Sequence, residues 1–327
     1  MLLPVRDAAA TLEECLDSLA TQTLGHHEVV AVDDGSSDAC WEILRAAAAR
    51  DPRVRPLRSP GRGLVTALNL AAQRAAAPLL ARMDADDVAA PERLARQAAR
   101  LASDPGLDVL GSRVRLVGAP GPGMRRYVEW QNGILDHDAI VEEMLVESPL
   151  AHPSVMMRAE ALRQLGGYRE LAGPEDYDLW LRAWRCGLRF GKLPELLLDW
   201  RDGPGRLSRR DARYSSRSFF ALKLAALEAG PLARRRPLVI WGAGPTGKTW
   251  GRALSGRGFH VAAFVDVAPR RLGARILGAP VVTAEAASGF PGCLHLSAVG
   301  LPEARRRIRV AAVSLGLTPG ADLVAVA

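Results

Sequence analysis

The sequence predicts an α/β protein in two parts, a larger amino-terminal domain of strands and helices and a smaller α/β domain behind it. Three observations carry that prediction. Short apolar runs alternate with amphipathic stretches through the first two thirds of the chain, the rhythm of βαβ units. A Pro-, Gly- and Arg-rich segment, "PLARRRP", then interrupts it. Beyond that segment the order strand, glycine loop, helix, strand restarts in "PLVIWGAGPTGKTWGRALSGRGFHVAAFVDV". At 327 residues the chain exceeds one average domain, which agrees with two cores.

The elements justify themselves in order. "MLLPV" is a first strand of only a few residues. In "TLEECLDSLATQ" the apolar Leu12, Leu16 and Leu19 recur at helical spacing, and Thr11 with Glu14 has the form of a capping box. "HEVVAVDDGSSD" is a strand ending in carboxylates, and "ACWEILRAAAARD" is helical again. "PERLARQAARL" reads as a helix opened by Pro91. "RYSSRSFFALKLAALEAG" is a helix leading out of the first part. In the second part "PVVT", "CLHLSAV" and "DLVAVA" are further strands, with "PEARRRIRVAAVSLG" a helix between the last two. These boundaries give residues 1–210 as the first domain, 211–236 as a helical linker and 237–327 as the second domain.

The composition is that of a soluble globular protein with a formal net charge of +7, carried almost wholly by arginine spread along the chain. No basic stretch is interleaved with stacking aromatics and no zinc-finger or RNP-like pattern occurs, so nucleic acid is not an expected partner. Anionic phosphates or an anionic membrane surface fit the charge better. The four cysteines, Cys15, Cys40, Cys186 and Cys293, lack metal-ligand spacing, and no secretory signal precedes them, which predicts reduced thiols in a cytoplasm. No apolar run reaches the roughly 18–20 residues of a membrane span, so any membrane contact is expected to be peripheral, at the inner face.

The chemistry concentrates in "RMDADDVAAPERL", where Asp84, Asp86 and Asp87 crowd the end of a strand. Like charges this close raise one another's pKa and cost stability unless a cation or donors compensate them. A divalent metal would do so; a solvated turn with aspartates capping the next helix is the alternative. In an open α/β sheet ligands gather at the carboxyl ends of strands, where both this cluster and Asp33–Asp34 stand.

Four features occur in one order: "PVRDAAATLEECLDSLATQT", "VVAVDDGSSD", "ARMDADD" and "GGYRELAGPEDYDLWLR". Over roughly residues 1–210 this resembles the family 2 glycosyltransferases of the GT-A fold, which move a sugar from a nucleotide donor to an acceptor. The resemblance implies Asp33 as the contact to the donor base, and Asp84 and Asp86 as the metal motif, Asp86 the direct ligand and Asp84 helping to hold the nucleotide sugar. Mg²⁺ or Mn²⁺ is the implied cofactor, since a nucleoside diphosphate and carboxylates both offer the oxygen ligands these ions prefer. It further implies Asp176 as general base with Glu175 beside it, and Gly166, Gly167 and Tyr168 as an acceptor-side turn. Asn69 matches a family asparagine near the donor, and Arg201 or Arg206 stands where a residue reaches the diphosphate. Two departures stand out: Arg6 occupies a position usually aromatic and Asp7 one that is often asparagine. Trp180 and Trp184, four apart on one helix, suit core packing better than sugar stacking, and His152 before a proline suits a structural role.

In the second domain "GAGPTG" places Gly242, Gly244 and Gly247 between a strand and a helix, with Asp266 ending the next strand where a ribose-binding acid would stand. The segment "FVDVAPRRLGARILGAPVV" resembles the Rossmann-like amino-terminal domain of sugar acyltransferases acting on nucleotide-linked amino sugars. NAD, a nucleotide or a nucleotide sugar is the implied ligand, an empty scaffold the alternative.

The expected function is that of a metal-dependent, inverting glycosyltransferase in cell-surface polysaccharide or glycolipid synthesis, using a nucleotide-sugar donor and a saccharide or lipid-linked acceptor. A nucleotide or nucleotide-sugar sensor or adaptor without turnover is the rival. Intact Asp84, Asp86 and Asp176 speak against it.

Overall fold

The computed structural model describes residues 1–203 and 206–327, in two compact units: Met1–Ile140 with Pro149–Phe219, and Val141–Ser148 with Phe220–Ala327. The division falls inside the segment that the sequence treats as linker, and it gives eight residues from the middle of the chain to the second unit.

In the first unit the elements run β1 (Leu2–Val5), α1 (Ala9–Ala20), β2 (Val29–Asp33), α2 (Cys40–Arg50), β3 (Val54–Arg58), α3 (Leu64–Arg74), β4 (Leu79–Ala81), β5 (Val88–Ala89), α4 (Arg93–Ser103), β6 (Val109–Gly118), α5 (Pro122–Gly133) and α6 (His137–Glu143). The last of these ends in the second unit. There follow β7 (Met156–Arg158), α7 (Ala159–Gln164), α8 (Glu175–Arg185), β8 (Phe190–Asp202), α9 (Leu207–Arg210) and α10 (Ser216–Glu228), which crosses into the second unit. Strands β1, β2 and β3 are parallel neighbours, and a second set is ordered β4-β7-β6-β8-β5. A parallel bridge between Leu2 and Arg82 joins the two sets edge to edge. This seam matters, because it fixes the residue that opens the acidic cluster against the first strand. Leu3, Val5, Leu12, Leu19, Ala31, Leu44 and Met83 fill the core beneath it.

Helix α1 starts three residues before the expected capping box. Its N-cap is Ala8, the Ala9 N–H donates to Asp38 Oδ2 at 2.9 Å, and the Thr11 hydroxyl donates to the carbonyls of Ala8 and Ala85. The box fails because a distant carboxylate supplies the cap. Helix α4 likewise begins at Arg93, two residues after Pro91.

The second unit holds a sheet ordered β11-β12-β10-β9-β13-β14, built from β9 (Leu238–Trp241), β10 (Val261–Val265), β11 (Arg275–Ile276), β12 (Ala279–Val282), β13 (Leu294–Ser297) and β14 (Leu323–Ala325). All its pairings are parallel except β11 with β12. Helix α11 (Pro245–Ser255) links β9 to β10, and α12 (Pro302–Ser314) links β13 to β14. The eight-residue segment is tied here through Glu143, which accepts from Arg305 Nη2 at 2.8 Å, and Glu142, paired with Arg309.

Two of the loop glycines are dictated by space. A Cβ on Gly247 would lie 1.7 Å from the Gly242 carbonyl oxygen, and Gly242 itself has φ +106°. Gly244 has its nearest neighbour 3.9 Å away. Gly247→Ala is therefore expected to destabilise the second unit by more than about 3 kcal/mol, and Gly244→Ala by less than about 1 kcal/mol, measured by denaturation followed by circular dichroism.

Candidate active site

The strand that ends at Ala81 runs into Arg82, whose backbone N–H donates to Val155 O at 2.9 Å while Met83 N–H donates to Leu2 O. With the backbone held on both sides, Asp84, Asp86 and Asp87 are gathered in one turn. One carboxylate oxygen from each lies within 4.8 Å of the others. Burial and the Asp84 charge push the Asp86 carboxyl up to about 6, and burial with the same neighbour pushes Asp87 well above its ordinary value. Asp87 Oδ1 accepts the Arg201 N–H at 2.8 Å, while its buried Oδ2 has no partner among the described residues. The arrangement is a cluster of carboxylate oxygens of the kind a hard cation prefers.

Arg82 is a residue the sequence reading did not single out. Only 4% exposed, it forms an ion pair with Asp84, which outweighs the cost of burying the guanidinium and keeps it charged. Its charge also draws down the carboxyl of Asp176 and disfavours protonation of His152. One buried cation thus acts on both acidic motifs.

Glu175 and Asp176 are the first two residues of α8. Glu175 is buried. Burial pushes its carboxyl up, but the His152 ring 3.6 Å away and a 2.7 Å hydrogen bond from the Tyr214 hydroxyl outweigh it and hold the group at about 2. Burial and this fixed negative charge push Asp176 the opposite way, up to about 8. Adjacent carboxylates are thereby split into a permanent anion and a group that titrates near neutrality, the pattern expected of an acid–base pair. Tyr214→Phe deprives a buried anion of its donor and is expected to cost about 1–3 kcal/mol in urea denaturation.

His152 is buried, its Nε2 2.9 Å from the Tyr168 hydroxyl and its ring edge-on to Trp180, and burial keeps it below its ordinary pKa. Its role is to position Glu175 and Tyr168. Gly166 and Gly167 both take left-handed backbone, with φ +74° and +75°, so the turn into Tyr168 requires glycine. Tyr168 is buried, and its hydroxyl is engaged by His152.

Two of the expected site residues already hold protein partners. The Asn69 amide, read as a donor contact, accepts from Tyr168 N–H and donates to Tyr168 O, both at 2.9 Å, and so pins the glycine turn. Arg201, read as reaching the diphosphate, donates from Nε to the Asp86 carbonyl at 2.8 Å and from Nη2 to Glu14 at 2.6 Å. It braces the acidic turn from behind. Arg206 lies over the Trp200 ring and pairs with Asp202, close enough for its charge to draw the Asp86 carboxyl down.

At the end of β2, Asp33 Oδ1 accepts the Ser36 N–H at 3.0 Å. Asp34 accepts from Gly63 N–H through Oδ2, and its buried Oδ1 has no partner among the described residues. Each residue of the pair thus keeps one carboxylate oxygen without a protein donor among the described residues, Asp33 Oδ2 and the buried Asp34 Oδ1, with Arg6 3.5 Å from the other Asp34 oxygen. Asp7 has φ +47°, a conformation tolerated by Asp and Asn, which explains why either residue suits the position.

In the second unit Asp266, read as a ribose acid, is already committed. Oδ2 accepts from Ala243 N–H and Arg271 Nη1, and Oδ1 from Ala268 N–H. It shapes the glycine loop.

The sequence model described as Glycosyl transferase family 2 matches residues 1–166. The amylovoran biosynthesis glycosyltransferase AmsE of Erwinia amylovora is 31% identical over 232 residues, which is 69% of this chain and 84% of AmsE. Among solved structures, S. aureus TarS in complex with UDP-GlcNAc superposes with a TM-score of 0.54 at 19% identity, over 69% of this chain and 65% of the TarS chain. The mannosyltransferase PcManGT of Pyrobaculum calidifontis, in complex with GDP-Man and Mn²⁺, gives 0.52 at 19% identity, over 79% of each chain. These structural likenesses show the mixed α/β fold that the sequence predicts.

Proposed function

This chain belongs to glycosyl transferase family 2, and from that membership we propose that it transfers a sugar from a nucleoside-diphosphate donor to an acceptor hydroxyl, inverting the anomeric centre, in the assembly of a cell-surface polysaccharide or glycolipid. The observation that carries the reading is the pairing, in one unit, of the Asp84–Asp86–Asp87 cage with an acid–base pair at Glu175–Asp176, both within the field of Arg82.

The cage fits a hard divalent cation: every donor is a carboxylate oxygen, and one buried oxygen lacks a partner. Asp86 and Asp87 would hold Mg²⁺ or Mn²⁺, with Asp84 shared between the ion's surroundings and Arg82. When bound, the ion supplies Lewis-acid stabilisation of the diphosphate. PcManGT, described with GDP-Man and Mn²⁺, supports that assignment. The residues do the rest. Asp176 accepts the acceptor hydroxyl's proton. Glu175, fixed as an anion, keeps the Asp176 carboxylate basic. Asp33 contacts the donor base, with Asp33 Oδ2 and the neighbouring Asp34 Oδ1 both left to accept from it. Gly166, Gly167 and Tyr168 shape the acceptor side.

We assign residues 1–210 to this transferase, 211–236 to a linker and 237–327 to a Rossmann-like domain. Gly242, Gly244 and Gly247 would receive a nucleotide or nucleotide sugar there. The bonds already made by Asp266 weigh against NAD. Among the described residues no helix is long and apolar enough to cross a membrane. A peripheral contact of the arginines between Arg206 and Arg236 with an anionic lipid surface, on the cytoplasmic side, is the proposed placement.

The test is slow donor hydrolysis without acceptor, across UDP-, GDP- and dTDP-sugars with Mn²⁺ or Mg²⁺, with calorimetric binding alongside. Metal-dependent turnover of one donor is expected. If every donor is neither bound nor hydrolysed, the reading falls.

A further inference from the structure

At the amino end of the second sheet, away from the glycine loop at its carboxyl end, lies a cleft of about 300 Å³ lined by Arg236, Phe290, Cys293, His295, Leu315 and Leu317 among others. His295 on β13 and Cys293, the residue just before that strand, both line it. The charges at its rim are already used. Arg236 donates to the carbonyls of Gly292, Ala321 and Cys293 and to Asp322 Oδ1 at 2.8 Å, while Asp322 Oδ2 accepts the Thr318 N–H. This pair neutralises itself and staples the surrounding loops.

His295 is different. Only 1% exposed, it accepts at Nδ1 from the Trp241 indole N–H at 2.9 Å. Burial, aided by Arg236, holds its pKa at about 4, so the ring is neutral near pH 7 and its one proton sits on Nε2. That N–H has no hydrogen-bond partner among the described residues. An acceptor entering the cleft is thus offered a donor that no protein group among the described residues uses.

We propose that this cleft is a binding site for a small, uncharged, largely apolar molecule bearing one hydrogen-bond acceptor, which takes the His295 Nε2–H while its body packs on Phe290, Leu315 and Leu317. Charged ligands are disfavoured because both rim charges are committed, and about 300 Å³ sits at the small end of ligand pockets. The site is independent of the transferase reading and of the glycine loop.

The experiment uses the full chain and two probes of the same shape: acetophenone, whose carbonyl accepts, and α-methylstyrene, in which CH₂ replaces the oxygen. Saturation-transfer NMR and calorimetry measure binding to wild type and to Leu317→Trp, which fills the cleft from its rim, with circular dichroism confirming the fold. A second variant, Leu315→Phe, serves if the first does not fold. Expected are a dissociation constant of about millimolar for acetophenone, binding about fivefold weaker for α-methylstyrene, and loss of both in the filled variant. No binding at several times that concentration, equal binding of the two probes, or undiminished binding in a folded filled variant overturns the proposal.

Discussion

Asp176→Asn is expected to lower kcat by about 10²–10⁴ while leaving metal affinity and donor binding intact, because the substitution removes a proton acceptor and touches none of the cage carboxylates. The pH profile separates this role from a structural one. With its carboxyl raised to about 8, Asp176 is protonated and idle below that pH, so kcat/KM in the wild type should rise with pH along an acid limb centred there. Arg82 already draws the value down, and a bound divalent cation would draw it further, so the limb of the loaded enzyme should lie below that of the metal-poor one. Glu175→Gln removes the neighbouring charge that raises Asp176 and should move the limb to lower pH. Unimpaired turnover in Asp176→Asn, or an acid limb surviving in it, would remove Asp176 from the chemistry.

What was legible rests on local pattern, and what was hidden rests on long-range register. Alternation of apolar runs placed β1, α1, β2 and α2, because side-chain period reports which face is buried. The acidic clusters were legible because carboxylates crowded at strand ends carry a repulsion that has to be answered. Arg82 was not: it is one arginine in a chain with 43 Lys and Arg, and only the bridge to Leu2 shows that it is buried against Asp84. Asn69 and Tyr168 stand 99 residues apart, so no spacing could reveal that the asparagine amide pins the glycine turn. Tyr214, 39 residues beyond Glu175, was hidden for the same reason. Thr11 shows the converse failure, in which a correct local motif lost to a carboxylate from elsewhere in the fold.

Asp86→Asn is expected to abolish metal-dependent donor binding and yet to make the metal-free protein more stable at pH 7.5, by about 1–2 kcal/mol. The two effects have one cause. Asp86 and Asp87 have folded-state pKa values raised above those of the unfolded chain, so the folded state binds more protons, and stability falls as pH rises. The loss is absent below about pH 4, where the carboxyls are protonated in both states, accrues between about 4 and about 6 for Asp86, and is complete above that. Asp176 extends the same trend toward about 8. Mn²⁺ reverses it by binding only the folded cage, contributing about 2.7 kcal/mol at a hundred times its dissociation constant. Melting temperatures with and without Mn²⁺, at pH 5 and 7.5, therefore give a four-way test. Wild type should gain more from the ion at the higher pH, whereas Asp86→Asn should start higher without it and gain little. A variant that is less stable than wild type in the metal-free state would mean that Asp86 is a structural capping residue, and the cage would lose its claim to a cation.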